Sequence, residues 1–275
     1  MSQIARLSMS LVPRLRHVAR VVAVANQKGG VGKTTTVHSL GFAWAERGHR
    51  VLLIDLDPQA CLTYSAGLDP TSLHGSLHDV FVRTIKASEA RYAVDGIDGL
   101  DILPATIDLA STEVHLLTRT DREHVLRRAL ESLHDDYDMM LIDCPPSLGV
   151  LAINGLCAAD EVVIPLRCET LCSRGVGQLL EMVDDVRMFA NADLRVRGII
   201  NTLYDERTIH GRFVLDDVKE RYGLEVLEPP VRRSVRFPEA PEFGCCILQH
   251  APLSAGAEAY RALARELEID RYLVG

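Results

Sequence analysis

Asn26-Gln27-Lys28-Gly29-Gly30-Val31-Gly32-Lys33-Thr34-Thr35-Thr36 is the stretch whose reading decides the fold. An apolar run, Val21-Val22-Ala23-Val24-Ala25, precedes it, and Val37 to Glu46 reads as a helix after it. Strand, glycine-rich turn and helix in that order are the setting of a phosphate-binding loop. Gly29, Gly30 and Gly32 let the backbone come close to an anion and aim successive N–H groups at it. The positive end of the following helix favours negative charge at the same place. Lys33 is then placed to reach terminal phosphates, and the Thr34 hydroxyl to ligate Mg²⁺. The expected nucleotide contacts run from Lys28 through Val31 to Thr35, with ATP and Mg²⁺ as the expected ligands.

Two acidic strand ends belong with this loop. Val51-Leu52-Leu53-Ile54 reads as a buried strand ending in Asp55-Leu56-Asp57-Pro58-Gln59. Carboxylates at the C-terminal end of a parallel strand lie beside the loops where α/β sheets bind ligands. The two-residue period of an extended chain points Asp55 and Asp57 to one side. There they can hold Mg²⁺ through water and orient a nucleophilic water. Met139-Met140-Leu141-Ile142 is the second such strand and ends in Asp143-Cys144-Pro145-Pro146-Ser147. This is a Walker B element, with Asp143 near the ion that Thr34 would ligate. Thr34, Asp55 and Asp143 are the expected metal residues.

Further strands are expected at Leu100–Pro104, Val162–Pro165 and Arg195–Asn201. Helices are expected over residues 120–133, 173–189 and 255–269, and residues 61–98 read as a helix with loops. Strands alternating with helices predict an α/β fold: a doubly wound, mostly parallel sheet with helices on both faces. Residues 21–275 read as one domain. Residues 1–20 carry Arg6, Arg14, Arg16 and Arg20 and no acid. They read as a mobile arm, or as a basic arm that touches phosphates or a partner.

Composition narrows the function classes. No apolar run approaches the ~20 residues that span a bilayer. Arg14, Arg16 and Arg20 interrupt anything like a secretory signal. Seven cysteines, an odd number without a C-x-x-C pair, suit free thiols in a reducing cytoplasm. A formal charge of −8 means that any DNA contact must come from a local basic patch.

The K-G-G-x-G-K-T form, with Lys28 ahead of the glycines, resembles the deviant Walker A loop of the ParA/MinD class of P-loop ATPases. Asp55-Leu56-Asp57-Pro58-Gln59 resembles the second nucleotide motif of ParA proteins. Arg232-Arg233-Ser234-Val235-Arg236-Phe237-Pro238-Glu239-Ala240-Pro241 is similar to a ParA segment, with Arg232 in place of a proline and Ser234 in place of an asparagine. Pro104 to Ala110 also looks like a ParA segment.

The resemblance, covering roughly residues 20–269, implies a chromosome- or plasmid-partitioning ATPase of the ParA/Soj branch. It assigns Lys28 to the partner's nucleotide in a sandwich homodimer and Asp57 to the attacking water. It makes Asn201 a candidate for reading adenine, and Arg207, Arg233 and Arg236 candidates for holding DNA without sequence preference. Arginine suits that task, being always charged and fork-shaped. Solvated arginines paired with Glu225, Glu228 or Glu239 are the plainer reading. The implied enzyme is a weak Mg²⁺-dependent ATP hydrolase, stimulated by a ParB-like centromere-binding protein, cytoplasmic and associated with the nucleoid. Three rivals share the loop: a MinD-like membrane ATPase, an ATP-dependent metabolic enzyme such as a cofactor amidase, and a nitrogenase-iron-protein-like reductase. The acids Glu266, Glu268 and Asp270 give the C-terminal tail the wrong sign for an anionic lipid surface.

Overall fold

The computed structural model describes residues 19–168, 172–205 and 209–269, without side-chain detail at 172–173 and 209–212. Among these residues the strands are β1 (Arg20–Val24), β2 (Val51–Asp55), β3 (Tyr92–Ala93), β4 (Leu100–Leu103), β5 (Met139–Asp143), β6 (Glu161–Leu166), β7 (Arg195–Asn201) and β8 (Val226–Leu227). The helices are α1 (Lys33–Ala45), α2 (Cys61–Ser65), α3 (Leu77–Phe81), α4 (Leu109–Leu117), α5 (Val125–Leu130), α6 (Val150–Ala158), α7 (Cys172–Phe189), α8 (Ile209–Tyr222), α9 (Arg236–Glu239), α10 (Ile247–His250) and α11 (Ala255–Glu268).

The sheet runs β3-β4-β2-β5-β1-β6-β7-β8, parallel throughout except where β3 pairs antiparallel with β4. The expected mostly parallel α/β sheet is what forms. Its strands are apolar on both sides because both faces are covered. Ala23, Leu52, Ile54, Met140 and Ile142 pack beneath α3 to α8 on one face. Their strand neighbours Val22, Val24, Leu53 and Leu141 pack beneath α1, α10 and α11 on the other. The helix α1 lies so close to the sheet that a Cβ on Gly41 would come within 2.4 Å of the Leu53 side chain. The helix α11 then closes over α1. The Trp44 Nε1–H donates to the Ala264 carbonyl at 3.0 Å, and the Thr36 and Tyr260 hydroxyls meet at 3.0 Å. The apolar side of α11, including Tyr260, Leu263 and Leu267, is therefore covered by protein.

Two local expectations change. The helix over residues 120–133 is interrupted: 3-10 turns at Arg122–His124 and Glu131–Leu133 flank the short α5. The break before α5 comes from Asn154, fully buried on α6. Its Oδ1 accepts from the Leu126 N–H at 3.1 Å and its Nδ2 donates to the Arg122 carbonyl at 2.8 Å, taking backbone groups a continuous helix would use. Within residues 61–98, two short helices and the edge strand β3 stand where one helix with loops was expected.

Candidate nucleotide site

The glycine-rich loop joins β1 to α1 at the centre of the sheet, where the chain crosses from β5 on one side to β6 on the other. This is the switch point at which open α/β sheets bind ligands. Gly30 and Gly32 have φ of 70° and 85°, the left-handed conformation that glycine adopts without strain. A Cβ at Gly29 would meet nothing within 4 Å, so no packing contact accounts for its missing side chain. The loop is tied down from both sides. Asn26 Nδ2 donates to the Pro165 carbonyl at 2.7 Å and Asn26 Oδ1 accepts from the Lys28 N–H at 2.9 Å. The Thr202 hydroxyl donates to the Val31 carbonyl at 2.7 Å.

Lys33 opens α1, is buried, and donates from Nζ to the Lys28 carbonyl at 3.2 Å. Burial lowers its pKa, while Asp143, Cys144 and Asp57 pull it back up. Asp55 and Asp143 are register partners on β2 and β5. Asp143 is buried and neither of its carboxylate oxygens has a hydrogen-bond partner. Burial raises its pKa far above the usual range, and Asp55 adds to this. The Thr34 hydroxyl and Lys33 pull the other way, though Thr34 closes no hydrogen bond of ordinary geometry.

A buried carboxylate without a partner is costly unless a cation supplies one. Among the described residues no group of three or more His, Cys, Asp or Glu could hold a metal. The unpartnered Asp143 carboxylate near the Thr34 hydroxyl fits Mg²⁺, which takes one or two carboxylates and keeps water and phosphate ligands. Thr34 and Asp143 could hold it.

Asp55 is different. Its Oδ2 accepts from the Thr63 N–H at 2.8 Å and the Thr63 hydroxyl at 2.7 Å, and its Oδ1 from the Asp57 N–H at 3.2 Å. Burial, partly offset by these bonds, raises its pKa to about 6. Asp57 lines the open cavity, whereas Asp55 is fully buried. The two acids differ in burial, yet they lie close enough that the charge of Asp57 raises the pKa of Asp55 and both raise that of Asp143.

A cavity of about 720 Å³ starts at Gly29, Gly30, Gly32, Lys33, Thr34 and Thr35, passes Asp57 and Pro146, and continues along α1. His38, Ser39, Tyr64, Phe237, Pro238 and Ile247 also line it, and none of them was foreseen. His38 and Ser39 follow Thr35 by three and four residues, the helical spacing that shares a face, and that signal was available. Phe237 and Ile247 carried no such signal, since α9 and α10 bring them in from a distant part of the chain. His38 is fully buried, which pushes its pKa down to about 4, and its Nδ1 meets the Ser65 hydroxyl at 3.2 Å.

The remaining sequence candidates stand apart from this cavity. Asn201 is buried at the end of β7 and does not line it, whereas Leu203 does. Arg233 and Arg236 are exposed beyond β8, and Arg236 pairs with Glu239 at 3.0 Å, as the plainer reading had it. Arg207 lies outside the described residues.

The AAA domain family matches residues 19–196. The sporulation initiation inhibitor protein Soj of Bacillus subtilis is 42% identical over 250 residues, covering 91% of this chain and 98% of Soj. The chain belongs to the ParA/Soj family of P-loop ATPases. The chromosome partitioning protein ParA of Caulobacter vibrioides is likewise 42% identical, over 90% of this chain and 93% of its own.

Among solved structures, a Mycobacterium smegmatis protein named cobyrinic acid a,c-diamide synthase, with bound ADP and magnesium, is 51% identical with a TM-score of 0.81. The match covers 91% of this chain and 94% of that one. This ParA/Soj-family chain thus shares fold and sequence with a relative that holds ADP and Mg²⁺. Among its described residues no helix is long and apolar enough to cross a membrane.

Proposed function

We propose that this ParA/Soj-family ATPase is a dimerising DNA-partitioning switch, which grips DNA in its ATP state and lets go on hydrolysis. The observation that carries the ATPase part is the partnerless Asp143 carboxylate, buried beside Lys33 and Thr34 at the mouth of a glycine-rich loop. Bound Mg²⁺ would supply charge neutralisation at the phosphate oxygens. In this reading Thr34 and Asp143 hold the ion, while Asp55 acts through water or by fixing the strand end. Backbone N–H groups from Gly29 to Thr35 cradle the phosphates, Lys33 stabilises charge on them, and Asp57 positions water. Lys28, exposed on the loop, crosses to the nucleotide of a second copy. Arg207, Arg233 and Arg236 supply phosphate contacts on DNA, a ParB-like protein stimulates turnover, and Asn201 contributes near the base. The setting is the cytoplasm at the nucleoid, without a membrane partner.

The test is binding to random-sequence duplex DNA with ATP, ADP or no nucleotide at two salt concentrations. The switch predicts salt-sensitive binding with ATP alone, weakened by Arg236→Glu. DNA affinity absent in every nucleotide state would overturn it.

A second reading follows from the name of the M. smegmatis relative: an ATP-dependent amidation enzyme. It predicts ATP turnover that depends on a small carboxylic acid and ignores DNA. If glutamine is the nitrogen source, a cysteine thiolate is the usual means of splitting it. The thiols that line the cavity are Cys61, Cys245 and Cys246, and burial raises the pKa of all three, with Asp57, Asp55 and Asp143 raising that of Cys61 further, which disfavours this route.

A further inference from the structure

A groove of about 550 Å³ lies between α3, the turn that follows it, and α5. It flanks the Ala87–Glu89 turn that leads into the edge strand β3, and neither Arg233 nor Arg236 lines it. Val80, Ile85, Val125 and Ala129 give it apolar walls, and Arg83, Lys86 and Arg128 stand exposed along it. The acids that face it are few. Glu89 lines it with Oε2 accepting from the Lys86 N–H at 2.9 Å, and Asp121 pairs loosely with Arg128 at 3.5 Å. Half-buried Arg119 donates to the Phe81 carbonyl at 2.8 Å. Burial, then the nearby charges of Arg83 and Arg128, lower its pKa. The result is a positive concavity on a chain whose formal charge is −8.

Arg83 sharpens the point. It follows the end of α3 with φ of 65°, its N–H donating to the Val80 carbonyl at 3.1 Å and that of Thr84 to Asp79 at 2.9 Å. Glycine fits this helix-ending position best, and another residue there costs roughly 1 kcal/mol. Among the described residues no acid pairs with the Arg83 guanidinium. Nothing in the chain's own packing accounts for an arginine at this place.

We propose that this groove docks an acidic peptide segment of a partner protein, with apolar side chains on the walls and carboxylates against Arg83, Lys86 and Arg128. Charge complementarity selects the acid, and the apolar walls select side chains rather than a bare anion. Single-stranded nucleic acid fits less well, because no aromatic ring lines the groove to stack a base. The groove shares no lining residue with the nucleotide cavity and includes neither Arg233 nor Arg236.

The experiment is fluorescence anisotropy of a short labelled peptide of alternating Glu and Leu, titrated with the full chain. A Gln–Leu peptide, inorganic phosphate and random duplex DNA serve as competitors. Docking predicts salt-sensitive binding of the Glu–Leu peptide that falls about tenfold or more in a variant carrying Arg83→Glu and Arg128→Glu, and is unchanged by Arg236→Glu. The variant Arg83→Gly removes the charge while relieving the backbone, so it should weaken binding while holding or raising the thermal midpoint. That outcome separates docking from misfolding. Equal binding by the Arg83 and Arg128 variants, equal binding of the Gln–Leu peptide, or full displacement by phosphate or by duplex DNA would each overturn the proposal.

Discussion

The ends of β2 and β5 lie side by side in register, each closing on an aspartate, yet the two carboxylates live in opposite conditions. Asp55 accepts three hydrogen bonds, two of them from Thr63. Asp143 accepts none. One strand end is finished by the protein's own donors and the other finds none within the protein. The same residue type at the same register can thus be an anchor or a binding group, and the partners it is given decide which.

The comparison breaks first at Asp143. Asp143→Ala should lower ATP turnover by about 10²-fold or more, because an electrostatic partner of the reacting phosphates is lost. Its urea midpoint should stay level or rise, since a buried polar group without a partner has been removed. A large stability loss with near-normal turnover would reverse the roles of the two acids.

Asp55→Ala should do the opposite kind of damage. It leaves the Thr63 donors without an acceptor, and unfolding free energy measured in urea should fall by about 2–4 kcal/mol.

Acidity offers a third handle. Folding raises the Asp55 pKa from 3.8 to about 6, so across that window the native state holds a proton the unfolded chain has released. Stability of the Mg²⁺-free protein therefore falls as pH rises from about 4 to about 6, by roughly 2–3 kcal/mol. Thermal midpoints at fixed ionic strength between about pH 4 and about pH 6 would check this. The smallest effect is expected at Thr63→Val, about 1–2 kcal/mol. The Thr63 hydroxyl both donates to Asp55 and accepts from the Ala105 N–H at 2.9 Å.

These contrasts mark where the sequence could be read and where it could not. The loop from Lys28 to Thr35 was legible because its chemistry is contiguous: glycines, lysine and hydroxyls sit at fixed offsets between a strand and a helix. Asp143 was legible for a similar reason, as an acid ending an apolar run. The finished state of Asp55 was not. Its partner Thr63 lies in a five-residue helix too short to show a period. The break before α5 was hidden too, since it is imposed by Asn154 from another helix. The far wall of the cavity was equally hidden, because Phe237 and Ile247 reach it only after the last third of the chain folds back over α1.

Trp44 is the sole tryptophan, wholly enclosed, with its indole N–H held by the Ala264 carbonyl of α11. The protein thus contains its own optical reporter on one joint. Emission should be blue-shifted while α11 is seated and move to the red if that helix lifts away from α1. Because α1 begins at Lys33, a stopped-flow fluorescence trace on mixing with nucleotide would time whether events at the phosphate loop are felt at the C-terminal helix, without any added dye.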